Sequence, residues 1–156
     1  MPVGRVVTRR APAGRNAVYT ILVAVDGSQH SHRAARYANQ RAQTAGCTVH
    51  LVHVGEPVMA WEVGPVSSSE VVERLHEAES AKVLDDGAKQ FDATVGVERH
   101  LVAGEPARTI LEIADAIGAD EIIVGSRGMR ALGAAMLGSV ASSVVHDAKV
   151  PVVVVR

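Results

Sequence analysis

The segment of this sequence best suited to chemistry runs from Gly125 to Ser139 and reads GSRGMRALGAAMLGS. Gly125 and Gly128 directly follow a short apolar run, and Gly138 and Ser139 directly precede a predicted helix. Glycine lets a main chain approach a ligand closely, and exposed amides at the start of a helix attract anions. The segment therefore predicts a cradle for phosphate groups, with a loop of purely structural purpose as the alternative.

Three well-known motifs do not match this sequence. Gly133, Gly138 and Ser139 mimic a Walker A loop but lack its lysine, and this first glycine does not follow a strand. A Rossmann GxGxxG sequence is missing after the first predicted strand. Neither Ser126 nor Ser139 lies in the GxSxG elbow of a hydrolase. Glycine spacing alone therefore leaves both phosphate binding and a structural loop open.

The rest of the chain predicts the elements that would position this segment. Apolar, β-branched runs predict strands at 19–25, 48–54, 95–102, 121–124 and 151–155. The stretches between them predict helices at 29–45, 68–91, 106–117 and 139–146. Strands that alternate with helices form a parallel sheet covered on both faces. Ligands of such sheets bind beyond the carboxyl ends of the strands, so the residues after each strand are the expected site.

The element order and several motifs together resemble the universal stress proteins. ATP-binding members of that family carry G-x2-G-x9-G-[S/T], and Gly125, Gly128, Gly138 and Ser139 match this spacing. The likeness extends to VAVDGS at 23–28, HV at 53–54, GEPA at 104–107 and PVVVVR at 151–156. It covers roughly residues 19–156, which are predicted to form the universal stress protein domain.

The resemblance implies an α/β fold, a three-layer α/β/α sandwich of the adenine nucleotide α-hydrolase-like kind. Its five-stranded parallel sheet would have the order 3-2-1-4-5, with a nucleotide lying across strands 1 and 4, and ATP with Mg²⁺ is the expected ligand. Asp26 would contact the ribose or adenine, with a simple turn cap as the alternative, and the backbone of Val54 would contact the adenine. The glycines and serine of the motif would bind the phosphates. The predicted nucleotide-binding residues are Ala24, Val25, Asp26, Val54, Gly125, Arg127, Gly128, Gly138, Ser139 and Val140.

No residue of the sequence is predicted to be catalytic. Phosphoryl transfer depends on positioned cations and a group that orients the nucleophile, but all three lysines lie outside the loop. Arg127 and Arg130 are candidates to neutralise phosphate, or are solvated loop side chains. Mg²⁺ would be held mainly by the phosphates and water. These features favour an ATP-binding regulatory module of the stress response, with a slow ATPase or phosphotransferase, a binder of AMP or cyclic AMP, and a nucleotide-free scaffold as alternatives.

The last predicted strand lies at a sheet edge in the order 3-2-1-4-5. It has no charged residue before Arg156, and an unprotected apolar edge invites pairing with another chain. Val152, Val153, Val154 and Val155 are therefore predicted to form a homodimer by antiparallel pairing, as the resemblance also implies. A protein partner of unknown identity is expected in addition.

Composition and charge exclude several other classes. The net charge of −1 and an aromatic content of 3% argue against a nucleic-acid partner. Apolar runs fall short of the ~20 residues of a membrane helix, so no membrane partner is expected. The single cysteine excludes an intramolecular disulfide framework and a CxxC metal site. No histidine metal pair is predicted, because His30 and His32 are two residues apart at a helix start and His50 and His53 point to opposite strand faces.

The first residues of the chain differ from the rest in charge. Residues 1–18 hold four arginines and no acidic residue, together with prolines and glycines, and predict a flexible basic arm. Arg9 and Arg10 are not followed by the apolar stretch that a twin-arginine export signal requires. A cytoplasmic location is therefore expected. The excess of arginine over lysine is typical of a GC-rich bacterial genome.

Overall fold

A computed structural model describes residues 18–55, 69–129 and 136–156 of the protein. The predicted basic arm up to residue 17 and the candidate phosphate ligand Arg130 lie outside the described residues. The strands are β1 (Thr20–Ala24), β2 (Thr48–Gly55), β3 (Val97–Ala103), β4 (Glu121–Gly125) and β5 (Val152–Val155). The helices are α1 (Gln29–Ala45), α2 (Ser69–Ala88), α3 (Pro106–Ile117) and α4 (Ser139–Asp147).

The five strands form one parallel sheet in the order β3-β2-β1-β4-β5, which confirms the predicted fold. Chain order reverses beside β1, which pairs with β2 on one side and β4 on the other. Such a reversal leaves a crevice at the carboxyl ends of the two strands that flank it. The sheet therefore places the ends of β1 and β4 where a ligand is expected.

Alternating side chains of the strands fill two apolar layers, one on each face of the sheet. On β1, Ile21 and Val23 face α1 and α2, whereas Leu22 faces α3 and α4, and all three are fully buried. Burial of one such side chain contributes about 1.5–3 kcal/mol. The α1 residues that face the sheet are small, which lets this helix lie close to the strands; they are Ala34, Ala35, Ala38 and Ala42.

Two helices begin at side-chain caps that the sequence places there. The Ser28 hydroxyl accepts the N–H of Ser31 at the start of α1, at 3.1 Å. The Glu105 carboxylate accepts the N–H groups of Ala107 and Arg108 at the start of α3. Such caps satisfy backbone donors that have no partner inside the helix. The two caps fix where the helices start relative to the strand ends before them.

The second helix ends earlier than predicted. Phe91 continues the apolar spacing of α2, so the sequence predicted helix to this residue, but α2 ends at Ala88. The N–H of Phe91 bonds to the Ala88 carbonyl as a turn, and the Phe91 side chain still packs against the core. Packing of this turn therefore mimics helical periodicity.

Within the described part of the chain, no helix is both long and apolar enough to cross a membrane.

Candidate functional site

Three segments that were predicted to bind a nucleotide meet at the carboxyl edge of the sheet. Asp26 follows β1, and the segment from Gly125 to Met129 follows β4. Val54 lies two residues beyond Val52, which is the last residue of β2 in register with β1. Val54 is half-buried at this edge and packs against the layer beneath α3 and α4. The strand order therefore brings the ends of β1, β2 and β4 side by side, as predicted.

Asp26 joins the loops that follow β1 and β4. One of its carboxylate oxygens accepts the N–H of Ser28 at 3.0 Å, and the other accepts the N–H of Met129 at 2.9 Å. The first bond is the turn cap that was predicted as the alternative to a nucleotide contact. The second crosses between loops that are 103 residues apart in the chain. Asp26 therefore positions the segment after β4, and each oxygen retains a further acceptor site.

The glycines of this segment allow protein segments to approach one another closely. A Cβ atom on Gly125 would lie 2.7 Å from the carbonyl carbon of His30 in α1, and one on Gly128 would lie 2.6 Å from Asp26 Oδ2. A Cβ atom on Gly138 would lie 3.2 Å from the Arg127 Cα. None of these three glycines has a positive φ. Internal packing is thus sufficient to explain them, independently of any ligand.

The start of α4 differs from the starts of α1 and α3. Gly138 is its N-terminal cap residue, and among the described residues no side chain caps this end. The first intrahelical bond runs from the N–H of Ser142 to the Gly138 carbonyl. The N–H groups of Ser139 and Val140 therefore have no acceptor within the helix. With the exposed Ser139 hydroxyl beside them, they form a group of donors at the positive end of a helix dipole.

A short set of hydrogen bonds holds this helix end against the loop after β4. The N–H of Gly138 donates to the Ser126 carbonyl at 2.8 Å, and the N–H of Ser126 donates to the carbonyl of Val155 in β5. The Ser28 hydroxyl donates to the Arg127 carbonyl at 3.3 Å. The donors of α4 are thus fixed relative to β1, β4 and β5.

Two histidines at this edge were missed as parts of the site. His30 is half-buried, and its Nδ1 lies 3.3 Å from the hydroxyl of the buried Ser126. His53 Nδ1 lies 2.8 Å from the Val25 carbonyl and links the ends of β1 and β2. The available signal was position, because His30 lies in the first helical turn after β1 and His53 lies near the end of β2.

The comparisons with known proteins agree with this architecture. The model of the universal stress protein family matches residues 18–156. The chain belongs to this family, and its sheet has the order that the sequence resemblance implied.

Individual relatives extend over most of the chain. A protein from Thermus aquaticus described as "Universal stress protein in QAH/OAS sulfhydrylase 3'region" is 39% identical over 140 residues, which are 88% of this chain and 98% of the relative. The solved structure of universal stress protein UspA from Lactobacillus plantarum is similar with a TM-score of 0.72 and 25% identity, over 90% of this chain and 100% of the other. A universal stress protein solved in complex with cAMP has a TM-score of 0.68 and 25% identity, over 90% and 99% of the two chains.

Proposed function

We propose that this protein binds ATP with Mg²⁺ at the carboxyl ends of β1 and β4 and acts as a nucleotide-dependent regulatory module in the cytoplasm. The observation that carries the proposal is the uncapped start of α4, held against the loop after β4. Helix starts of this kind bind phosphate well. The structural neighbour solved with cAMP supports an adenine nucleotide as the ligand class.

Each part of the nucleotide has a matching part of the site. The amides of Ser139 and Val140 and the Ser139 hydroxyl would donate to phosphate oxygens, and Arg127 would add positive charge. Hydrogen bonds to a charged group contribute about 1.5–3 kcal/mol each, so two or three of them can dominate the binding free energy. The adenine would lie against Val54, with Ala24, Val25 and Asp26 along the ribose. Mg²⁺ would be bound chiefly by the phosphates and water.

The nucleotide preference can be measured by isothermal titration calorimetry on the untagged full chain. We expect MgATP to bind more tightly than AMP or cyclic AMP, because only MgATP carries the β- and γ-phosphates that would reach the amides of α4 while the adenine lies against Val54. CTP serves as the matched control, since it carries the same triphosphate on another base. If cyclic AMP binds more tightly than ATP, the preferred ligand is cyclic AMP and not ATP. An absence of heat with all four nucleotides at millimolar concentration would contradict the proposal.

We also propose that the protein forms a homodimer through β5. The described residues place β4 on one side of β5 and no strand on its other side. The carbonyl of Pro151 accepts the N–H of Ile122 in β4, and the carbonyl of Val155 accepts the N–H of Ser126 directly after β4. Because backbone groups alternate in direction along a strand, the amides of Val152 and Val154 point to the open edge. An open valine edge of this kind is a template for a second copy of the strand.

Proline at position 154 tests this interface, since it removes one outward-pointing amide and leaves the ladder to β4 intact. We expect Val154→Pro to have a mass near the 16.3 kDa of one chain by light scattering, with the wild type at twice that mass. Val154→Thr is the control, because it keeps the amide and the β-branched shape and should remain dimeric. A folded Val154→Pro protein of unchanged dimer mass would exclude β5 as the interface.

A further inference from the structure

A second group of chemically active side chains lies on β2 and β3, the strands farthest from β5. His50 of β2 is in register with Glu98 of β3, and Val52 is in register with His100. Val52 packs into the layer beneath α3 and α4. Side chains two residues apart in a strand share a face, and paired residues on neighbouring strands share it too. All three ionisable groups therefore project from the same face of the sheet.

The donor atoms of these three residues converge. His50 Nδ1 lies 2.9 Å from His100 Nε2 and 3.5 Å from Glu98 Oε2, and all three donor atoms lie within 4.8 Å of one another. Two nitrogens bound to one tetrahedral zinc ion at 2.0–2.1 Å are about 3.3 Å apart. Small rotations of the side chains would therefore bring the three donors to bonding distance of a single ion.

One donor of this cluster is buried, and another is open to solvent. His50 is buried, with 9% of its surface exposed, whereas the Glu98 side chain is 67% exposed. The imidazole rings of His50 and His100 are stacked at a centroid distance of 5.1 Å, which holds both in place. An ion would enter from the side of Glu98.

We propose that His50, Glu98 and His100 bind one divalent transition-metal ion of the zinc class, with a fourth position left for water. Two imidazoles and one carboxylate form a ligand set that suits zinc. Mg²⁺ and Ca²⁺ prefer sites made only of oxygens, so this site would not compete for the metal of a bound nucleotide.

The site is separate from the nucleotide site. His50 lies five residues before Gly55, or about 16 Å along β2 from the carboxyl edge of the sheet. A metal ion there would tie β3, an edge strand among the described residues, to the interior strand β2. Zinc binding at this site would stabilise β3 whether or not a nucleotide is bound.

The test is metal binding by the untagged, chelator-treated protein with zinc as the probe and no nucleotide present. We expect one zinc per chain by elemental mass spectrometry, and a tetrahedral absorption spectrum when cobalt replaces zinc. At free zinc about 100-fold above the Kd, the Tm should rise by about 5–10 °C. His100→Ala should abolish all three signals, and Glu98→Gln should weaken zinc binding. The side chains of Glu98 and His100 are both less buried than that of His50, so these variants should fold.

His146→Ala is the matched control, because His146 is an exposed histidine next to an aspartate, with its Nε2 3.9 Å from Asp147. It should bind zinc as the wild type does. The proposal fails if the wild type binds no zinc at micromolar concentration, if His100→Ala keeps the wild-type stoichiometry, or if His146→Ala loses it. In the first case the two histidines form only a hydrogen bond, and in the other two the metal is bound elsewhere.

Discussion

Gly125→Ala is expected to lower the free energy of unfolding by about 1–3 kcal/mol, the usual cost of overpacking a close contact. The new Cβ atom would lie 2.7 Å from the carbonyl carbon of His30 and 2.8 Å from the amide nitrogen of Ser31. Both contacts are to the backbone of α1, so no side-chain rotation relieves them. Either the end of β4 or the first turn of α1 must move. Thermal unfolding should show a Tm lowered by roughly 2–12 °C.

Gly96→Ala is the matched control for this substitution. A Cβ atom on Gly96 would meet no atom within 4 Å, and Gly96 does not have a positive φ. Its replacement should change stability by less than about 1 kcal/mol, because alanine fits a compatible backbone and restricts the unfolded chain. If Gly125→Ala and Gly96→Ala unfold at the same temperature, the close approach of β4 to α1 is not what requires glycine at position 125.

Ser139→Asp is expected to weaken ATP binding by about 10- to 100-fold. The substitution removes a hydroxyl donor and adds a negative charge where the phosphates are proposed to bind, and one hydrogen bond to a charged group is worth about 1.5–3 kcal/mol. The folded state should not suffer, since an acidic residue in the first turn of a helix stabilises it by about 0.3–1 kcal/mol. A loss of affinity with an unchanged or raised Tm would therefore report on the ligand alone.

The control for Ser139→Asp is Ser143→Asp, which adds the same charge one helical turn further along α4. Ser143 is also exposed, and its amide lies beyond the first turn, where the helix dipole is felt most strongly. ATP affinity should change by less than about threefold in this variant. Equal losses in both variants would point to a general charge effect, and no loss in either would place the phosphates away from α4. Calorimetry with MgATP and parallel thermal unfolding provide both readouts.

Much of the fold could be predicted because its signals are local. Apolar runs and caps predicted the observed first and last residues of α1, and they predicted the ends of the other elements to within a few residues. The strand order came from the family resemblance, because order depends on contacts between distant segments. The end of α2 was predicted too late, since the packing of Phe91 in a turn continues helical spacing. Local pattern thus identifies an element more reliably than it identifies where the element ends.

The candidate site was predictable in position and less so in its contacts. Strand ends and glycine spacing identified the edge of the sheet, but the bond from Met129 to Asp26 joins residues 103 positions apart. The same limit hid the proposed metal site, because His50 and His100 come together only through the register of β2 and β3. In the sequence, the histidine nearest to His50 is His53, which was predicted to point to the opposite strand face. Such pairings depend on tertiary structure, which no local pattern contains.

In the proposed nucleotide site, main-chain amides at the start of α4 hold the phosphates of an adenine nucleotide. The most direct measurement is a titration of the isotope-labelled protein with MgATP, followed through its backbone amide resonances by NMR. We predict that the amides of Ser139 and Val140 shift most, and that these shifts saturate together with the heat of binding. Saturable binding that leaves both resonances unmoved, or no binding at millimolar MgATP, would contradict this role of the α4 amides.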